Sequence, residues 1–221
     1  MKRCLGLIAA LGLATVASAT SITWNGTNVT GSQTIFGTDA TKTDFALAVK
    51  ITTDFAGKEI TQNAGMVTFG NAHVDGAPDG LLAYSADNGF GGHFYSTTNK
   101  PLWSDNNGSL ASGTHIVVLT GDWDANNNRW NVTLYIDNAT TPVELKGDGT
   151  AILAPTSNAL TADFGTNAAW TFNEVATYDG ILTAEEIGQL VNDQTAVLPE
   201  PTALALLALG VAGVALRRRV A

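Results

Sequence analysis

Four oxygen-bearing side chains stand at alternate positions in one short stretch: Asp122, Asp124, Asn126 and Asn128, within GDWDANNN. Hard divalent cations take carboxylate and amide oxygens, so this stretch is a candidate site for a calcium ion, Ca2+. It departs from the EF-hand loop, with Asn127 at the glycine position and Thr133 at the final glutamate position. The same residue types also build an ordinary hairpin turn. Two tryptophans, Trp103 and Trp123, fall in stretches expected as loops, beside Asp and Asn groups able to bond hydroxyls. Aromatic faces stack on sugar rings, which makes the pair a candidate ligand-binding site for glycans. The competing reading is edge packing on a core. Trp24, Trp130 and Trp170 read as core residues.

The residue types needed for bond cleavage are present but not gathered. Glycoside hydrolysis requires two carboxyl groups about 5–10 Å apart. Glu174 is alone on its expected strand, and Glu185 and Glu186 belong to a helix start. Asp122 and Asp124 share a side-chain parity but have no glutamate near them. There is no G-x-S-x-G and no H-E-x-x-H. His73, His93 and His115 are scattered. The chain is therefore expected to have no catalytic residues and not to be an enzyme.

Charge and cysteine usage narrow the setting. Of the 11 basic residues, Lys2, Arg3, Arg217, Arg218 and Arg219 lie at the two ends, which leaves 6 between residues 20 and 198. Of the 20 acidic residues only Glu200 lies outside that range, which leaves 19 and a net charge of −13. A domain so acidic does not attract nucleic acid or anionic lipid through its general field. It suits divalent cations or neutral sugars, and it also suits plain solubility outside a cell. The one cysteine, Cys4, stands near the N-terminus. A chain without it has neither a disulfide framework nor a thiol nucleophile, so stability has to come from a core.

Both ends read as targeting segments. Lys2 and Arg3 precede an apolar run from Leu5 to Val16, and Ala17-Ser18-Ala19 is an A-x-A signal for cleavage after Ala19. Residues 1–19 are thus expected as a signal peptide, handled by the Sec export machinery and signal peptidase. At the other end Pro199-Glu200-Pro201 excludes helix, and the uncharged run 202–216 follows it. Those 15 residues span about 22 Å as a helix, short of the ~30 Å hydrocarbon core, so the run makes a marginal transmembrane helix. Arginines just beyond an apolar span favour the cytoplasmic side, which places everything before it across the membrane.

Between these ends the chain reads as an all-β sandwich with one short helix. Short alternating runs are broken by Gly, Asn, Asp and Thr. In the strand 44–53, Phe45, Leu47, Val49 and Ile51 take one face and Ala46, Ala48, Lys50 and Thr52 the other. Strands are also expected over 65–70, 80–85 and 92–96, with 99–112 as loop. Residues 114–120 are nearly all apolar, as in a strand covered on both faces. A polar turn is expected over 121–128. The run 129–137 alternates, with Trp130, Val132, Leu134 and Ile136 on one side. A strand over 169–178 leads to a capping box, Thr183-Ala184-Glu185-Glu186, with Leu182 and Ile187 as its hydrophobic staple. Residues 194–198 read as a linker.

Two family resemblances fit these residues. The order of Pro199-Glu200-Pro201, apolar run and Arg217-Arg218-Arg219 resembles the PEP-CTERM sorting signal of diderm bacteria, with Leu198 where that family often has valine. The resemblance implies an exosortase that removes residues 199–221 during export. The protein would then be held briefly in the inner membrane and end at the cell surface or outside the cell. Residues 20–193 are similar to the LamG-like, concanavalin A-like jelly-roll family. That likeness is carried by VTLYIDN, by Glu174, Val175 and Tyr178, and by Leu182, Thr183, Glu186 and Ile187. It implies a jelly-roll sandwich with roles in glycan or exopolysaccharide binding, adhesion or matrix contact. Asn138 stands where that family usually has glycine, which leaves the local turn type open.

Overall fold

The computed structural model describes residues 31–36, 43–56, 64–70, 80–83, 90–98, 101–104, 112–153, 160–165 and 168–198. The expected signal peptide with Ala17 and Ala19, Trp24, His73, Pro199, Glu200, Pro201, the apolar run 202–216 and Arg217, Arg218 and Arg219 lie outside the described residues.

The chain is a jelly-roll β-sandwich. Its strands are β1 (Gly31–Phe36), β2 (Phe45–Thr53), β3 (Ala64–Gly70), β4 (Gly80–Ala83), β5 (Phe90–Ser96) and β6 (Pro101–Ser104). They continue with β7 (Gly113–Asp124), β8 (Arg129–Ile136), β9 (Leu145–Lys146), β10 (Ala151–Leu153), β11 (Leu160–Phe164) and β12 (Trp170–Asp179). One helix among the described residues, α1 (Ala184–Asp193), follows. Hydrogen bonding links the strands in the order β1-β11-β3-β4-β5-β10-β8-β7-β2-β12, with β6 and β9 branching from β5. Every pair is antiparallel. Met66, Val67, Phe69, Ala162 and Phe164 from one end of this order share a core with Phe45, Leu47, Val49, Ile51, Val117, Leu119 and Phe172 from the other. The sheet therefore curls until its two ends face each other across an apolar interior.

The alternation expected from the sequence sets these faces. On β2, Phe45, Leu47, Val49 and Ile51 enter the interior, while Ala46 and Ala48 face outward into a second cluster. β7 is covered on both sides: Val117 and Leu119 face the interior, and Ile116 and Val118 the outside. α1 lies over this outer face. Ala46, Ala48 and Ala176 keep the sheet surface low there, and Leu182, Ile187 and Leu190 fill the space above it. Each such aliphatic side chain contributes roughly 1.5–3 kcal/mol on burial. The capping box forms as expected: Thr183 Oγ1 accepts from the Glu186 amide at 3.2 Å, and Glu186 Oε2 accepts from the Thr183 amide at 2.7 Å.

Three local expectations are corrected. Residues 101–104, expected as loop, form β6, with Pro101 at the first strand position, where its missing N–H is tolerated. β7 runs through Asp124, so the expected turn 121–128 shortens to 125–128. Its pairing with β8 continues to Asp124↔Arg129. Finally, residues 196–198 of the expected linker 194–198 pack onto the domain. Ala196 is buried, and Val197 and Leu198 pack against the outer cluster. No helix among the described residues is long and apolar enough to cross a membrane.

Candidate functional site

The end of the β7–β8 hairpin gathers most of the side chains that could bind a ligand. Its base is aromatic. Gly121 pairs with Phe45 across the strands, and the Phe45 ring lies over it. The Phe45 and Trp130 rings meet edge to face, with centroids 5.7 Å apart. Trp123 tilts against Trp130 at 4.7 Å. Residues just before β2 fasten this stack: the Trp130 indole N–H donates to the Thr43 carbonyl at 2.8 Å, and the Trp123 amide donates to Asp44 Oδ1 at 2.8 Å. Trp130 is buried, whereas Trp123 is only partly buried and packs against the core.

Above this base stands the acidic and amide-rich turn. Asp124 Oδ1 accepts from the amides of Asn126 at 3.1 Å and Asn127 at 3.2 Å. Asp124 Oδ2 accepts from Asn127 Nδ2 at 2.6 Å. Asn128 closes the turn at φ 51, a left-handed conformation that asparagine tolerates. The side-chain amide of Asn127 holds the Asp124 carboxyl below the usual carboxylate range. Partial desolvation opposes this, and the Asn127 and Asn126 amides and the Arg129 charge add to it. Arg129 Nε lies 3.6 Å from Asp124 Oδ2 and, among the described residues, is buried without a hydrogen-bond partner.

The sequence-derived candidates are thus only partly brought together. Asp122, exposed on β7, sits opposite Asn131. Asp124 spends its oxygens on the turn, and Asn126 and Asn128 are exposed. Among the described residues no group of three or more His, Cys, Asp or Glu side chains is arranged to hold a metal ion. Trp123 lies on β7 and Trp103 on β6, not in loops. Three strands, β8, β10 and β5, separate β7 from β6. At ordinary strand spacing that is about 19 Å along the sheet. Trp103 pairs instead with His93 and Lys146.

A second polar group escaped the sequence reading. His115 Nδ1 and Asp137 Oδ2 are 2.6 Å apart, and Asp137 Oδ1 accepts from the Ile116 amide at 2.8 Å. Asp137, not Asn138, carries the positive φ of 50 at this turn. Asn138 Oδ1 caps the next bend by accepting from the amides of Thr140 and Thr141. The left-handed residue of this turn thus falls one position before Asn138, whose side chain caps the bend that follows.

Solved structures with similar folds were found at low identity. The CBM40 of the Ruminococcus gnavus IT-sialidase is 12% identical with a TM-score of 0.44, over 77% of this chain and 98% of that one. The botulinum neurotoxin type G receptor-binding domain is 13% identical with a TM-score of 0.40, over 79% of this chain. This chain spans 46% of that structure's length. The carbohydrate recognition domain of Emp47p is 11% identical with a TM-score of 0.28, over 75% of this chain and 87% of that one. Likenesses at this level assign neither ligand nor activity. No curated protein matches the chain. Residues 197–219 match the PEP-CTERM protein-sorting motif, which marks the chain as an exported protein sorted to the cell envelope.

Proposed function

We propose that this chain is a non-enzymatic binding or adhesive module of the cell surface or extracellular polysaccharide, built on a LamG-like, concanavalin A-like sandwich. It is delivered through a Sec-type signal over residues 1–19 and processed at its tail by an exosortase. The observation that carries this reading is the sorting motif at 197–219, which begins at the end of the β-sandwich formed by the described residues. Support for a glycan ligand comes from the hairpin rim. A half-buried tryptophan held by Trp130 and Asp44 stands beside carboxylate and amide groups there. A rigid aromatic face with polar neighbours suits a sugar ring. The −13 balance of the exported part suits a neutral glycan over an anionic one.

A second reading is a structural envelope protein without a specific ligand. Its support is that the Trp123 ring already packs against Trp130. The two readings part on a binding experiment with the purified exported protein and a glycan array. Retention of neutral glycans, abolished by Trp123→Ala in a protein that still melts cooperatively, fits the binding module. No retention by the wild-type protein fits the structural reading. Turnover of a polysaccharide panel by the wild-type protein contradicts both.

A further inference from the structure

The five residues between α1 and Pro199 connect the sandwich to the sorting motif, and they are fastened at nearly every step. Gln194 adopts a left-handed conformation (φ 50) and turns the chain back over the sheet. The Thr195 amide then donates to the Leu190 carbonyl at 3.1 Å. Glu174 Oε2 accepts from Thr195 Oγ1 at 2.9 Å and from the Ala196 amide at 3.0 Å. Lys50 Nζ, at 3.3 Å, holds the other oxygen of the same carboxylate. The Tyr178 hydroxyl donates to the Ala196 carbonyl at 2.5 Å and accepts from the Leu198 amide at 3.0 Å. Thr195 Oγ1 accepts from the Val197 amide at 3.2 Å. Ala196 is buried, and Val197 and Leu198 lie against the cluster formed by Ile187, Leu190 and Tyr178.

The matched sorting motif begins at residue 197. Its first two residues are therefore part of the folded domain. We propose that this clamp withholds the start of the sorting motif, so that tail removal waits on opening of residues 195–198 from Glu174 and Tyr178. An enzyme that reads a peptide in extended form pairs with its backbone amides and seats its side chains in pockets. The amides of Val197 and Leu198 are already engaged, and their side chains are partly buried against the outer cluster. Only the opened fraction is competent for recognition, and the apparent affinity falls by that fraction. Local openings of this kind cost less than global unfolding, so the domain stays folded while the motif is released.

The test is pulse–chase measurement of tail removal for the full-length chain in a cell that carries its sorting enzyme. One variant inserts a flexible Gly/Ser segment of about eight residues and a second Val-Leu pair between Leu198 and Pro199, leaving the clamp intact. It offers a complete, unclamped motif on an undisturbed domain. Tail removal is expected to be at least about three-fold faster than in the wild-type chain, in proportion to the competent fraction. An unchanged or slower rate overturns the proposal. Tyr178→Phe, which removes both hydroxyl hydrogen bonds, is expected to accelerate removal as well. Hydrogen exchange on the purified wild-type protein gives an independent reading. Protection of the Ala196 and Leu198 amides supports the clamp, and exchange as fast as in a free peptide overturns it.

Discussion

At the scale of single residues, Glu174 and Trp123 carry the most consequence. Burial pushes the Glu174 carboxyl up, but the Ala196 amide, the Thr195 hydroxyl and the Lys50 ammonium outweigh it and hold the group below its usual range. A depressed carboxylate adds stability above its unfolded pKa, about 4.3, and that stability is lost as pH falls through the folded value. Glu174→Gln is therefore expected to cost about 1–3 kcal/mol near neutral pH, the scale of hydrogen bonds to a charged group. The difference between variant and wild type should shrink toward zero in acid, as denaturant unfolding at several pH values will show. A constant difference across pH contradicts this role. Tyr178 supports the same contact: burial pushes its hydroxyl up to about 12, so it stays protonated and able to donate to the Ala196 carbonyl. Asp124 is committed to its turn by the Asn126 and Asn127 amides. Millimolar calcium is accordingly expected to leave the Tm of the protein unchanged. A clear rise that Asp122→Ala and Asp124→Ala abolish would restore the cation reading.

At the scale of elements, the pairing of β2 with β7 depends on a glycine. A Cβ at Gly121 would lie 2.1 Å from Phe45 Cε1, so either the ring or the strand must shift. Gly121→Ala is expected to destabilise by about 1–3 kcal/mol through overpacking. Phe45→Leu with Gly121→Ala should recover part of the loss, because the obstructing ring is gone; chemical denaturation of the single and double variants measures the coupling. These elements were legible in the sequence because long strands carry their own signal. Alternation gave both faces of β2 and β8, the unbroken apolar run of β7 gave its double burial, and Thr183 with Glu186 gave the start of α1. The short strands β6, β9, β10 and β11 were not legible. Two to five residues contain too few alternations, and their pairing partners lie far along the chain. The candidate site suffered likewise. GDWD reads as turn by composition, yet cross-strand pairing with Arg129–Val132 keeps it extended. The clamp was hidden because Glu174 meets Thr195 and Ala196 only after α1 has folded back across the sheet.

At the scale of the whole molecule, the sandwich and its tail are one structure up to Leu198. A chain ending at Gln194 loses the burial of Ala196, Val197 and Leu198 and leaves the Glu174 and Tyr178 groups without these partners. It is expected to be about 2–4 kcal/mol less stable than one ending at Leu198, and thermal and denaturant unfolding of the two will show it. The most direct measurement is the intact mass of the protein recovered separately from cytosol, envelope and medium. Export with processing at both ends should yield, in envelope or medium, a chain that begins at Thr20 and has lost the apolar run 202–216. An unprocessed chain of 221 residues dissolved in the cytosol would contradict it.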